Sequence, residues 1–494
     1  MHDSERIAHT LDKPALVRLL GEILKPDCLL SDPEDLRPFE CDGLSAYRVV
    51  PWIVALPETV EQARAVLRLC YRLGVPIVAR GAGTGLSGGA LPVDNGVLLS
   101  LAKFNRILAI DPLNRTARVQ PGVRNLAVSE AAAPYGLYYA PDPSSQIACT
   151  VGGNMAENSG GVHCLKYGLT VHNVLAATVL TVDGELLELG SGGLDAPGYD
   201  LMALFTGSEG LLGVIVEMTL KLLPIPQTAQ VLLAAFATVE QAGEAIATLI
   251  GAGLLPAGLE MMDNLAIRAS EDFVHAGYPV DAAAIVLCEM DGMAAQVEAD
   301  LVRAGQILEH AGALEVHRAR DENQRKKIWA GRKAAFPAVG RISPDYYCMD
   351  GTIPRRHLAK VLGGIARLSE EYGMAVANVF HAGDGNLHPL ILYDANRPGE
   401  LERVEEFGGR ILELCVEVGG TVTGEHGVGM EKINQMCLQF STAELLQFHA
   451  IKAVFDARGL LNPGKAVPTL ARCAEFGAMH VHGGKLALPG LERF

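Results

Sequence analysis

The feature that most constrains this chain is a glycine loop set directly behind a strand. Val75-Pro76-Ile77-Val78-Ala79 has the apolar, β-branched composition of a buried strand, and Arg80-Gly81-Ala82-Gly83-Thr84-Gly85-Leu86-Ser87-Gly88-Gly89 follows it at once. Gly83 to Gly88 satisfies G-x-G-x-x-G literally. A nicotinamide-type dinucleotide fold needs a long helix opening at that loop and an acidic residue about 20 positions on. Pro92 interrupts any such helix, and the first acids downstream are Asp94 and Asp111. The segment therefore reads as a loop. Its amides, with no Cβ to hold a ligand off, can wrap a pyrophosphate, although taken alone it serves equally well as a tight turn.

A second set of loops decides between those uses: Pro141-Asp142-Pro143-Ser144-Ser145, Thr150-Val151-Gly152-Gly153-Asn154, Ser159-Gly160-Gly161 and Lys166-Tyr167-Gly168. Two glycine nests and a proline-fixed loop suit a large, flat, phosphate-bearing cofactor. The stretch from about 48 to 224, with R-G-x-G-T-G-L-S-G-G, P-D-P and T-x-G-G-N, resembles the FAD-binding domain of the vanillyl-alcohol oxidase and p-cresol methylhydroxylase superfamily. The resemblance implies FAD held between two α+β subdomains. Its pyrophosphate would rest on the first loop (Arg80, Gly81, Gly83, Thr84, Gly85, Ser87, Gly88), and its isoalloxazine would lie near the second set. There the implied contacts are Pro141, Asp142, Pro143, Thr150, Gly152, Gly153, Asn154, Gly160, Gly161, Tyr167 and Gly168, joined by Val214, Ile215 and Asn462. Covalent members often attach the flavin to a histidine in the first loop, where this chain has Thr84 and Gly85, so a dissociable FAD is expected.

A chain of 494 residues has room for two to four domains at about 100 to 200 residues each. Residues 1–47 read as a helical lead-in, 48–226 as the FAD-binding domain, 227–430 as a substrate or cap domain beginning after Pro224-Ile225-Pro226, and 431–494 as a helical segment returning to the FAD domain. The expected class is α+β. Thr59 and Gln62 mark a capping box at the start of a helix running to Leu73.

A net charge of −16 would repel phosphate backbones, so nucleic acid is not expected as a partner. Ten cysteines with no CxxC exclude the common iron–sulfur patterns, and Met-His-Asp-Ser-Glu at the start lacks the features of a secretory signal. Reduced thiols and a cytoplasmic location are the expectation, with attachment to the inner membrane only through partners.

Two further motifs carry chemistry. Val376 to Phe380 leads into His381-Ala382-Gly383-Asp384-Gly385-Asn386-Leu387-His388, where Asp384-Gly385 predicts a turn that brings the two histidines together. Thr423-Gly424-Glu425-His426-Gly427 adds a carboxylate and a third imidazole. Two imidazoles and a carboxylate suit Zn²⁺, Mn²⁺ or Fe²⁺; any one of these histidines alone is better explained as a hydrogen-bonded turn residue, but two constellations framed by glycines shift the balance to a site. H-x-G-D-G-N-x-H and G-E-H-G resemble the D-2-hydroxy-acid dehydrogenase branch of the same superfamily, which implies His381, His388 and Glu425 as metal ligands and His426 as the base.

Trp329-Ala330-Gly331-Arg332 matches an element that places an arginine against the substrate carboxylate in related enzymes; a solvated helix face explains Arg332 nearly as well. Cys348 stands where relatives taking longer dicarboxylic acids carry lysine, which favours a small acid. Phe455 to Lys465 is similar to the branch's C-terminal motif, with Ala457 in place of the usual proline. Ile342 to Thr352 and Ala474 to His482 resemble the flavin subunits of bacterial glycolate oxidases.

Membership there implies oxidation of glycolate to glyoxylate, with D-lactate as a second substrate. It also implies an iron–sulfur partner subunit, a second flavin-type subunit, and quinone as the final acceptor. A stand-alone D-lactate dehydrogenase is the alternative within the branch; a metal-dependent hydrolase and a catalytically idle assembly subunit are the alternatives outside it.

Overall fold

A computed structural model describes residues 12–193 and 198–473, so the amino-terminal Met-His-Asp-Ser-Glu and the Ala474 to His482 segment lie outside the described residues. The strand that launches the glycine loop, Ile77–Arg80, sits at the edge of a four-stranded sheet in the order Leu29–Leu30, Ile53–Ala55, Val97–Ser100, Ile77–Arg80. Its last three strands are parallel. Helix Val60–Leu73 makes the crossover and buries Ala63, Val66, Leu67 and Cys70 against Ile53, Ile77 and Leu99. Each large apolar side chain so buried contributes about 1.5–3 kcal/mol. Thr59 caps that helix through Oγ1 to the Gln62 amide (3.2 Å), but the Gln62 side chain accepts from the Glu58 amide rather than from Thr59, so the expected capping box is half formed.

The lead-in is not wholly helical. After helix Lys13–Gly21 it supplies Leu29–Leu30, which pairs antiparallel with Ile53–Ala55. Two residues are too few to show a strand period. At the opposite edge the tail completes the sheet: the Ile77 amide donates to Leu460 O and the Asn462 amide to Ile77 O, both at 2.7 Å. The strand beneath the glycine loop is thus held from both sides.

A five-stranded antiparallel sheet (Ile107–Asp111, Thr116–Val119, Val214–Lys221, Val174–Leu180, Leu186–Gly190) forms the second part of the flavin half. The chain then passes through Leu223–Pro224, paired with Leu137–Tyr138, and enters a seven-stranded antiparallel sheet at Thr228. Its order is Glu315–Arg318, Thr228–Phe236, Ala284–Gly292, Gly258–Asp263, Val376–His381, Pro389–Tyr393, Asp345–Cys348. Mixed sheets and helices without a barrel make the fold α+β, as expected. Among the described residues no helix is long and apolar enough to cross a membrane.

The expectation of reduced thiols is corrected at one pair. The chain after Pro468 brings Cys473 back onto helix Met436–Gln439, and Cys437 and Cys473 form a disulfide; the other eight cysteines are free. A separation of 36 residues gave no local spacing signal.

The flavin half meets the seven-stranded sheet through an ionic seam. His163 Nδ1 lies 2.9 Å from Asp142 and Nε2 3.5 Å from Glu289, Arg325 donates to Glu289 at 2.7 Å, and Tyr167 Oη donates to Asp291 at 2.7 Å, with Lys166 paired to the same aspartate. Burial alone would lower the pKa of His163, but Asp142 and Glu289 outweigh it and raise the group to about 10. A histidine whose folded pKa is raised gives stability that is complete below its unfolded value of about 6.5 and is lost as pH rises through the folded value. Thermal melts from about pH 7 to 10 should therefore show a steeper fall in Tm for the parent than for His163→Gln, with parallel curves contradicting this seam.

Candidate active site

The first glycine loop, the Thr150 to Glu157 segment, Ser208 to Gly210 and Gly213 to Ile215 enclose a cavity of about 500 Å³. Its far end is closed by Lys333, Phe336, Pro337, His388, Glu425 and His426 from the other half of the molecule. Of the residues expected at FAD, Arg80, Gly81, Gly83, Thr84, Gly85, Pro143, Thr150, Gly152, Gly153, Asn154, Val214 and Ile215 line it. Gly81 could carry no side chain, because a Cβ there would fall on Thr150 Oγ1. Arg80 lays its guanidinium against Gly83, donating to Cys41 O (2.7 Å) and Phe39 O.

Ser87, Gly88, Pro141, Asp142, Gly160, Gly161, Tyr167, Gly168 and Asn462 lie outside the lining. They join segments instead. Ser87 O accepts from the Met430 amide (2.9 Å), Asn125 Nδ2 donates to Pro141 O (2.9 Å), and the Asn462 amide group donates to Gly89 O (3.0 Å) and Glu209 O (2.7 Å). Asp142 and Tyr167 belong to the seam.

Gly160 has a more specific place. Its N–H donates to Glu425 Oε2 at 3.0 Å, and a Cβ on it would come within 2.6 Å of that oxygen. The carboxylate is thus seated on the flavin half's own backbone.

At the far end the turn between Val376–His381 and Pro389–Tyr393 does bring the two histidines together, with ring centroids 5.0 Å apart. Glu425 Oε1 lies 3.1 Å from His388 Nε2 and 3.4 Å from His381 Nε2, and one ligand atom from each of the three residues falls within a 4.8 Å group. Burial would raise the Glu425 pKa, but hydrogen bonds from the two imidazoles hold it well below the usual carboxylate range. The His426 ring stacks on His388 at 4.9 Å and nearly parallel, with Nε2 3.9 Å from Glu425. Burial, then the charges of His388 and Lys432, lower its pKa to about 4 against the pull of Asp350, so His426 is neutral at pH 7.

Three supporting carboxylates escaped the sequence reading. Glu260, wholly buried on Gly258–Asp263, accepts from His381 Nδ1 (2.8 Å) through Oε1. Through Oε2 it accepts from Arg332 Nε (2.8 Å), with Nη2 2.6 Å away. Arg332 is 1% exposed, which overturns the solvated-face alternative, but it stands behind the cavity wall and is paired; Lys333 beside it faces the cavity. Asp350 gathers the amides of Gly424 (3.0 Å), Glu425 (3.2 Å) and His426 (2.9 Å), the Thr423 hydroxyl (2.6 Å) and the buried Lys432 ammonium (3.2 Å). Glu209 accepts from Val428 N and Gly429 N, both at 2.7 Å. Their signal was no more than isolated acids beside apolar runs.

The residues fit both groups that the motifs imply. The cavity has the size and glycine floor of a nucleotide site, with Thr150 Oγ1 buried and unpartnered beside it, and the His381, His388 and Glu425 set offers nitrogen and oxygen donors around one point.

Comparison with known proteins supports the flavin group. Residues 51–190 match the FAD binding domain family, and residues 225–466 match the C-terminal domain of FAD linked oxidases. The chain is 65% identical over 484 residues to the glycolate oxidase subunit GlcD of Escherichia coli K12, covering 98% of this chain and 97% of that protein. It is 32% identical over 462 residues to a D-lactate dehydrogenase of Anaerostipes hadrus, covering 92% and 97%. The crystal structure of p-cresol methylhydroxylase with bound substrate superposes with a TM-score of 0.77 at 17% identity, covering 93% and 97%, a likeness of fold. The chain therefore belongs to the FAD-linked oxidases and is an FAD-dependent oxidoreductase.

Proposed function

We propose that this chain oxidises glycolate to glyoxylate, with D-lactate as a second substrate, as the flavin subunit of a larger complex. The observation that carries the reading is that His388, Glu425 and His426 line the same cavity as the glycine loops, so a small hydroxy acid can meet a base and a flavin in one chamber. The 65% identity to a glycolate oxidase subunit supports the choice of acid.

Bound FAD supplies the acceptor for the hydride leaving Cα, and a divalent cation such as Zn²⁺, Mn²⁺ or Fe²⁺ held by His381, His388 and Glu425 supplies Lewis acidity at the substrate hydroxyl. His426 Nε2, the ring nitrogen nearer Glu425, takes the hydroxyl proton. Glu260 fixes the His381 ring through Nδ1, and Asp350 fixes the backbone from which Glu425 and His426 project. Lys333 is the cation facing the cavity where a substrate carboxylate would sit, with Arg332 behind it paired to Glu260. FAD rests on the lining residues of the two glycine loops without a covalent link.

Onward single-electron transfer falls to an iron–sulfur partner subunit, beside a second flavin-type subunit and ending at quinone. Among the described residues the candidate metal-ligand groups hold at most one cysteine each. Any attachment to a membrane would come through those partners.

Substitution of the base tests the mechanism. His426→Gln should lower kcat by about 10²–10⁴-fold while retaining FAD absorbance, whereas a loss under about threefold would remove His426 from the reaction. Since its pKa is about 4, kcat/KM should stay level from about pH 7 down to about 5 instead of halving near the ordinary histidine value of about 6.5. Elemental analysis tests the ligand set: Glu425→Gln should release the metal to a chelator at least about tenfold more readily than the parent, and equal retention would contradict the assignment.

A further inference from the structure

We infer that Cys348, His388 and His426 form a second metal site, for a thiophilic divalent ion such as Zn²⁺ or Cd²⁺, whose occupation disables the base. Cys348 ends the edge strand Asp345–Cys348, paired with Leu390 on the strand that follows His388. One ligand atom from each of Cys348, His388 and His426 lies within 4.8 Å of the others. Cys348 is 5% exposed and His388 2%.

The two imidazole donors are free. The Nε2 atoms of both imidazoles face Glu425, at 3.1 and 3.9 Å, while the Nδ1 atoms of both are buried without a hydrogen-bond partner. The nearest carboxylate oxygen to His388 Nδ1 is that of Asp350, at 3.9 Å. Cys348 Sγ makes a weak hydrogen bond to Met349 O at 3.4 Å. A thiolate with two imidazoles is a soft ligand set, bound by zinc at about 2.3 Å to sulfur and about 2.0–2.1 Å to nitrogen. On binding, the thiol proton leaves to solvent and the sulfur–metal bond forms.

The consequence follows from the imidazole lone pair. A neutral ring coordinated through Nδ1 keeps its proton on Nε2, so His426 can no longer accept one from substrate. His388 likewise gives one nitrogen to one ion, so the second site draws it away from the Glu425 set. Only this inhibitory half rests on the proposed function; the metal site itself does not.

The test uses FAD-loaded full chain carrying Cys28→Ser, which removes the other cysteine-containing group among the described residues, Asp27, Cys28 and Glu58. Titration with Cd²⁺ should produce an ultraviolet thiolate-to-cadmium band saturating at one equivalent, lost on adding Cys348→Ser and also on adding Cys348→Ala, with flavin absorbance retained in both. An unchanged band in both would overturn the site. With glycolate as substrate, excess Zn²⁺ should lower turnover at least about tenfold when Cys348 is present and less than about twofold in Cys348→Ser, each against its own rate without added zinc. A cadmium band that depends on Cys348 without zinc inhibition would leave the site standing and remove His426 as base. Equal inhibition with and without Cys348 would overturn the regulatory claim.

Discussion

The Asp350 carboxylate is the constraint on which the active end of this molecule depends. It is wholly buried, which by itself raises its pKa, yet the neighbouring His426 imidazole and the Lys432 ammonium hold it well below the usual range. A buried charge is tolerated only when its hydrogen-bonding capacity is filled, and here three consecutive amides, a hydroxyl and an ammonium fill it. Those amides belong to Gly424, Glu425 and His426. A glycine-rich loop with little side-chain packing of its own is thereby given one backbone path, and Glu425 and His426 are aimed by it.

The same loop is tied to the flavin half at three further points. Glu209 takes the Val428 and Gly429 amides, Ser87 O takes those of Met430 and Glu431, and Gly160 donates to Glu425 itself. The tail closes the arrangement, since Asn462 donates to Gly89 O and Glu209 O and Lys465 to Gly89 O. The side chains proposed to act on the substrate hydroxyl and the glycines proposed to seat the flavin are thus parts of one hydrogen-bonded body. Hydride transfer depends on placement to a fraction of an ångström, and this tie holds the two sets of residues in one register.

What was legible in the sequence was local. The strand–glycine loop, the helix from Val60 to Leu73, the turn at Asp384-Gly385 and the G-E-H-G carboxylate and imidazole all announce themselves through short-range spacing, and the structure forms each of them. What escaped was made by tertiary contact. Glu260, Asp350 and Lys432 are single charged residues whose meaning comes from partners as many as 121 positions away. Arg332 shows the limit most plainly: its residue type and motif pointed to an anion, and the anion it meets is Glu260. The Leu29–Leu30 strand and the Cys437–Cys473 pair went unseen because one is too short for periodicity and the other too widely spaced for a motif.

The central claim is that a flavin and the His–Glu cluster act on one small hydroxy acid inside this chain. The most direct measurement adds glycolate, D-lactate, L-lactate or D-2-hydroxyglutarate separately, without oxygen, to the purified FAD- and metal-loaded chain and follows the oxidised-flavin absorbance. Glycolate and D-lactate should bleach it, establishing the reductive half-reaction without any partner. A yellow, metal-loaded chain that keeps its oxidised spectrum in both would contradict the account.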